Sequence, residues 1–217
     1  MRYDYEVFFK TIFMPSFVDT IFMVSISSLL SIVIALFISI GIYLTNENGL
    51  LPNRYLNTGI NALVNVIRSF PFLILMVSII PLTRFLVGTS IGRVAALVPI
   101  TIVGSCFCTR LFETSFLSVD HETIEAALSM GASNLQIIRK VIIRESMPSL
   151  IQSITTCIIA VLSTSSAAGA IGAGGLGAIA IMYGYQNFDE IIMYGTVVIL
   201  IIMVQLIQFI GTRLSKR

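Results

Sequence analysis

Charge is what this sequence has least of. Only 11% of its 217 residues are Asp, Glu, Lys or Arg, whereas 56% are apolar. An ordinary soluble domain is about a quarter charged. No soluble core of this length could hide so much apolar surface, so the solvent for most of the chain is lipid. The net charge of +2 is too small to draw nucleic acid. Histidine is limited to His121, and cysteine to Cys106, Cys108 and Cys157. An odd cysteine count outside a Cys-rich framework argues against disulfides. All three lie in apolar runs, where a thiol behaves as a small hydrophobe. Cys106-x-Cys108 resembles half a metal site, but His121 falls outside it, and no metal is expected. Ser163, Thr164, Ser165 and Ser166 have no nearby His or Lys to serve as base, so no hydrolase is expected either.

What is present is a series of long apolar runs. A membrane-spanning helix needs about 20 apolar residues, and the sequence supports spans at about 16–43, 66–82, 92–111, 148–168 and 191–211. The second is the least regular, since Arg68 interrupts it and Pro71 follows. At the N-terminus Asp4 and Glu6 offset Arg2 and Lys10, and the apolar run is longer than a signal peptide's, so it is expected to be retained as the first span. Arg139, Lys140 and Arg144 mark the segment about 118–147 as cytoplasmic, and Arg213, Lys216 and Arg217 mark the C-terminus likewise. Between two cytoplasmic ends the chain crosses an even number of times. Residues 146–188 carry no charge, but Gly169, Gly172, Gly174, Gly175 and Gly177 make a poor helix. That piece is therefore expected as an outer loop or a half-inserted segment. The expectation is an all-α membrane protein of five transmembrane helices, N-out and C-in, forming a single domain over 1–217.

The polar segment 118–147 reads as two helices. Asp120 caps the first, through Met130, and Gly131 ends it. Ser133-Asn134-Leu135-Gln136 fits a capping box that opens the second, which continues to about Glu145. Ile124, Ala127 and Leu128 line one face of the first helix; Leu135, Ile138 and Ile142 line one face of the second. Ala126, Ala127 and Gly131 are small enough for another surface to approach the backbone closely. The pattern fits a helix seated in a partner's groove and, equally, an amphipathic helix lying on lipid. His121, beside Asp120 and Glu122, reads as a solvated surface residue.

Glu125-Ala126-Ala127, followed by three residues and Gly131, resembles the EAA loop of ABC importer permeases. Met130-Gly131-Ala132 and Gln136-Ile137-Ile138-Arg139-Lys140-Val141 extend the likeness. So do Arg68-Ser69-Phe70-Pro71-Phe72, Val87-Gly88-Thr89-Ser90-Ile91-Gly92 and Gly172-Ala173-Gly174-Gly175-Leu176-Gly177. Together they resemble the permeases of methionine importers over most of the chain. One departure is Arg144, which stands at the family's proline position.

The resemblance implies a type I ABC importer permease domain working as a homodimer in the inner (plasma) membrane of a bacterium. Two ATP-binding subunits would carry ATP and magnesium, and an extracytoplasmic substrate-binding lipoprotein would deliver the substrate. This chain would hold no cofactor of its own and would not be an enzyme. Glu125, Ala126, Ala127, Met130, Gly131 and Ala132 would couple it to the ATPase, and the loop with Gly172, Gly174, Gly175 and Gly177 would face the binding protein. The substrate implied is methionine, L or D. Another amino acid, a small peptide, or a scaffold without transport are the alternatives.

Two polar sets are candidates for the path or its gate. Asn57, Asn61, Asn65 and Arg68 form one helical stripe, which fits either an interfacial helix with Arg68 reaching water or an inner gate. Ser163, Ser165 and Ser166 beside Ala167, Ala168 and Gly169 suit close packing at a dimer axis as well as a path. Gly172-x-Gly174-x-x-Gly177 matches a dinucleotide fingerprint but lacks the strand–turn–helix context that motif requires. Ala178 and Ile179 stand where a P-loop needs Lys and Ser/Thr. Gly88-x-x-x-Gly92 is expected to form a turn rather than a helix-packing motif.

Overall fold

The structure is a computed structural model and describes residues 5–47 and 49–216. Helix α1, Tyr5–Thr45, runs for 41 residues. It starts well before the expected first span. Its second turn is widened into a π-helix at Phe9–Phe13, just ahead of Pro15, whose ring cannot fit against the carbonyl four residues back. The early turns do not hang free. Phe8 and Phe13 are buried against Leu176, Ile179 and Ile192.

The expected span at 66–82 is not one helix. Helix α2, Arg54–Ser69, stops at Phe70, whose backbone is extended (φ −75°, ψ 131°). Pro71 disfavours helical geometry in the residue before it. Helix α3, Phe72–Ser78, leaves at 104° to α2. A second break at Ile79, ahead of Pro81, starts α4, Ile80–Val87. Gly88 and Gly92, both at positive φ (77° and 94°), form the expected turn. Helix α5, Arg93–Leu117, then crosses the bundle. After it come α6, His121–Ser129, and α7, residues 134–145, which contains a π turn at Ile138–Ile142. Helix α8 is Met147–Gly169, α9 is Gly175–Tyr185, and α10 is Glu190–Ser215. Four of these, α1, α5, α8 and α10, are long and apolar enough to cross a membrane, and the bent α2–α3 pair would make a fifth.

The core lies where α1, α5 and α8 meet. Small residues make the seam. Ser27, Ser31, Ala35 and Ser39, four apart on α1, are all buried. A Cβ on Gly104 of α5 would sit 2.5 Å from the Ser31 hydroxyl, so the two helices touch almost backbone to backbone, as small residues permit in lipid. The sulfurs of Cys108 and Cys157 are joined, linking α5 to α8 with Cα atoms 5.6 Å apart, a separation normal for a disulfide. This corrects the expectation of three unpaired thiols: the two residues lie 49 apart in sequence, and spacing gives no hint that helix packing brings them together. Cys106 is free and buried.

The bundle has two distinguishable ends. At one, Tyr43 and Phe116 rings meet at 6.0 Å, and Ser215 donates to the Pro148 carbonyl (3.0 Å). The α6–α7 hairpin sits at this end. At the other, the Gly92 amide donates to the Gly172 carbonyl (2.9 Å), and Arg93 pairs with Asp19 (2.7 Å) while lying over the Phe22 ring.

The glycine-rich segment is only partly a loop. Residues 170–174 turn, and α9 then folds back along α8. Helix propensity undervalues these glycines because their role is proximity. A Cβ at Gly177 would overlap the Ser166 carbonyl, and one at Gly175 would meet Thr20 Oγ1 at 2.8 Å. Gly177→Ala is therefore expected to destabilise the bundle by roughly 1–3 kcal/mol, the usual cost of overpacking. Thermal unfolding of the purified variant measures this. An unchanged midpoint would show that α9 is free to shift.

Candidate functional site: the hairpin, its polar strut and the outer loop

Asp120 accepts a hydrogen bond from the Glu122 amide (3.1 Å) and so caps α6. Gly131 (φ 77°) closes the turn after it, with its amide bonded to the Leu128 carbonyl (2.9 Å). Both halves of the capping box are made: the Gln136 amide donates to Ser133 Oγ, and the Ser133 amide to Gln136 Oε1. The hairpin is rooted in the core by Ile124, Ala127, Ile137 and Ile142, all buried. Ala127 thus faces inward, and it is Ala126 and Gly131 that leave the backbone open from outside. Of the apolar residues expected to line one face, Leu128 and Leu135 instead point outward, Leu135 being 64% exposed. With Met130, 82% exposed, they make the hairpin's outer side apolar, and Glu125, Gln136, Arg139 and Lys140 are exposed on the same hairpin. Glu125 also meets His121 (3.2 Å) across one turn. Ala132, half-buried, donates its amide to the Ala127 carbonyl (3.1 Å) and braces the turn.

The asparagine stripe of α2 converges on a residue that sequence reasoning did not single out, Arg110. One guanidinium nitrogen of Arg110 donates to Asn61 Oδ1 (2.6 Å) and Glu113 Oε2 (2.6 Å), and the other to Asn65 Oδ1 (2.8 Å). Asn61 in turn donates to Asn57 (2.9 Å), and Asn57 to the Ile42 carbonyl (2.9 Å) and Thr45 Oγ1 (3.2 Å). A polar strut therefore runs from the end of α1 across α2 into α5, eight residues before the hairpin begins at Leu117's successor, Ser118. The available signal was the stripe itself. Asparagines on one face of a helix in an apolar chain need polar partners, and Arg110 with Glu113 is the i,i+3 charged pair near the end of α5 that could supply them. Arg68, the stripe's fourth member, does not join the strut. It is exposed at the last turn of α2 and makes no hydrogen bond among the described residues.

Ser163 and Ser166 face a furrow of about 460 Å³ between α8 and α10, together with Gln205. Ser165 does not: it is buried, with its hydroxyl donating to the Leu162 carbonyl (2.8 Å). In the outer loop Gly172 is exposed and Gly174 half-buried, whereas Gly175 and Gly177 are buried against α1 and α8. Only the first half of that motif is open to a partner. Phe188, 88% exposed, and Tyr185 stand beyond it. Among the described residues no group of three or more His, Cys, Asp or Glu side chains could hold a metal ion.

Residues 37–217 match the family described as the binding-protein-dependent transport system inner membrane component. The chain belongs to this family. The permease is 46% identical over 199 residues to the probable D-methionine transport system permease protein MetI of Vibrio cholerae serotype O1, covering 92% of this chain and 88% of that one. It is 43% identical over 176 residues to the methionine import system permease protein MetP of Bacillus subtilis, covering 81% and 79%. Its fold matches an inward-facing structure of the MetNI methionine ABC transporter with a TM-score of 0.94 at 37% identity, over 99% of this chain and 98% of that one. The all-α type I importer permease fold is thereby shared, and so is the bacterial multi-pass membrane setting.

Proposed function

We propose that this chain is the translocating subunit of an ATP-driven methionine importer, acting by alternating access as a homodimer in the bacterial plasma membrane. The observation that carries this reading is the hairpin tip: Ala126, Leu128, Met130, Gly131 and Leu135 stand exposed on a base fixed in the core, on a permease whose relatives are methionine permeases. Each copy's tip seats in one ATP-binding subunit, which holds ATP and magnesium. Closure of those subunits pulls the hairpins and reorients the spans. Hydrolysis takes place there and not on this chain. The outer-loop residues Gly172, exposed, and Gly174, half-buried, with exposed Phe188, face an extracytoplasmic substrate-binding protein.

Five crossings with N-out and C-in fit the contacts. The strut ties α2 to the hairpin end, and the Gly92–Gly172 bond ties the start of α5 to the other. Residues 72–87 then carry the chain between the two ends, about 24 Å at helical rise. In this reading the bent α2–α3 pair makes the second crossing with its α3 part, continued by α4, while α2 itself stays along the cytoplasmic side.

Reconstituted with its ATP-binding subunits and binding protein in vesicles, the permease is expected to take up labelled methionine only with ATP and a hydrolysable nucleotide supply. Unlabelled methionine should compete and other amino acids should not. Uptake competed equally well by other amino acids or small peptides would refute the substrate, and ATP-independent flux would refute the mechanism.

A further inference from the structure

Helices α8 and α10 do not close against each other along their whole length. The furrow along their seam consists of two grooves, each open on one side, an upper chamber of about 460 Å³ and a lower one of about 230 Å³, with close contact between Thr155 and Gly211 beside the lower one. Gln152, Thr156, Ser163 and Ser166 border it from α8, and Gln205 and Gln208 from α10. The α8 members recur at spacings of four, seven and three, which is one continuous helical face. Neither helix end nor middle contributes a charged side chain to it.

An exposed stripe of amides and hydroxyls along two spans is costly in hydrocarbon, so it faces protein or water. The hydroxyls and amides retain capacity for one further partner on the open side. Ser163 donates to the Ile159 carbonyl (3.1 Å), Ser166 to Leu162 (3.0 Å) and Thr156 to Gln152 (3.0 Å). Their protons are committed to their own helix, and their lone pairs are what they present outward, as acceptors. Gln205 and Gln208 make no side-chain hydrogen bond among the described residues and keep N–H donors free. The remaining wall of the upper chamber is apolar, from Leu162, Leu200 and Ile201.

We infer that the furrow is one wall of the translocation path, and that its upper chamber is a transient site for a neutral zwitterionic amino acid with an apolar side chain. Ser163 and Ser166 accept from the ammonium group, the Gln205 amide donates to the carboxylate, and the apolar wall takes the side chain. The absence of fixed charge keeps the site weak, and a path must release what it binds. A second copy closes the open side. This inference rests on the transport reading above but is tested separately from it.

The assembled transporter in vesicles is treated with a small thiosulfonate reagent, which reacts only where water reaches the thiol. Single substitutions Ser163→Cys, Gln205→Cys and Gln208→Cys are compared with Ile202→Cys and Leu206→Cys, which lie on the exposed face of α10 turned from the furrow. The native cysteines are buried and serve as background. The furrow positions are expected to react at least about tenfold faster than the other two, and methionine supplied on its binding protein should slow the reaction at 163 and 205. Gln205→Leu is expected to lower uptake roughly tenfold, the effect of one lost charge-assisted hydrogen bond, while binding-protein-stimulated ATP hydrolysis stays within about twofold. Gln205→Asn should recover part of the loss. Slow reaction throughout, with Gln205→Cys forming a disulfide between copies, would make the furrow a dimer seam and overturn the inference. Fast reaction without protection, and normal uptake by Gln205→Leu, would overturn the site. If the unsubstituted transporter takes up no methionine, the substrate reading fails instead, and the reactivity pattern still decides whether this is a water-filled wall.

Discussion

Replacing Met130 by glutamate is expected to abolish ATP-driven uptake and leave the membrane bundle intact. Met130 is 82% exposed and follows the last turn of α6, where its side chain supports nothing in the core. A substitution at such a position changes folding stability by no more than about 0.5 kcal/mol, so the permease alone should unfold at an unchanged temperature. Binding is different. A methionine at the centre of an apolar contact is the kind of residue on which association depends, and a carboxylate there would be stripped of water with no partner. A loss of about 2–4 kcal/mol corresponds to roughly 30- to 1000-fold weaker docking. Co-purification with the ATP-binding subunit and vesicle uptake measure it. Unchanged assembly together with unchanged uptake would remove the coupling role from the hairpin. Ala127 would be a poor choice for the same experiment, since it is buried in the root of the hairpin, and a large residue there would disturb folding and coupling alike.

The hairpin was legible in the sequence because its signals are local. Asp120, Gly131 and the Ser133–Gln136 pair act within one turn, and the structure forms each of those bonds. The break at Pro71 is just as local, its effect reaching one residue back, yet the span expected at 66–82 runs through it, because the apolar run outweighs the proline in hydropathy. What was not legible depends on long-range packing. Periodicity grouped Leu128 with Ile124 and Ala127, and Leu135 with Ile138 and Ile142. Ile124, Ala127 and Ile142 are indeed buried, but Leu128 and Leu135 are exposed, and Ile137, outside the expected stripe, is buried in Leu135's stead. Gly175 and Gly177 read as helix breakers by propensity, and they form a helix because α8 and α1 leave room there for nothing larger. Cys108 and Cys157 read as separate small hydrophobes, and only the crossing of α5 and α8 brings them together. Ser163 and Ser166 were recognisable as polar residues in a span, but the amides that share their furrow come from α10, some 40 residues later.

Arg110 carries the second large effect. Its side chain is about one-fifth exposed and joins three elements: α2 through Asn61 and Asn65, its own helix through Glu113, and α1 by way of Asn57. Leucine at this position removes four donor contacts at once, the fourth a long one to the Asn61 carbonyl, and leaves Glu113 without its partner in poorly hydrated surroundings. Hydrogen bonds to charged groups contribute about 1.5–3 kcal/mol, and stranding one member of a partly buried pair adds to the cost, so Arg110→Leu is expected to lose about 3 kcal/mol of stability. Arg110→Lys retains the charge but cannot fork between Asn61 and Asn65. It is expected to fold and to bind the ATP-binding subunits, yet to transport fewer substrate molecules per ATP hydrolysed, because α2 would no longer move with α5. The ratio of uptake to hydrolysis in vesicles separates the two effects: a purely structural residue would lower both rates together, and a ratio unchanged in Arg110→Lys would rule out the strut as part of the transmission.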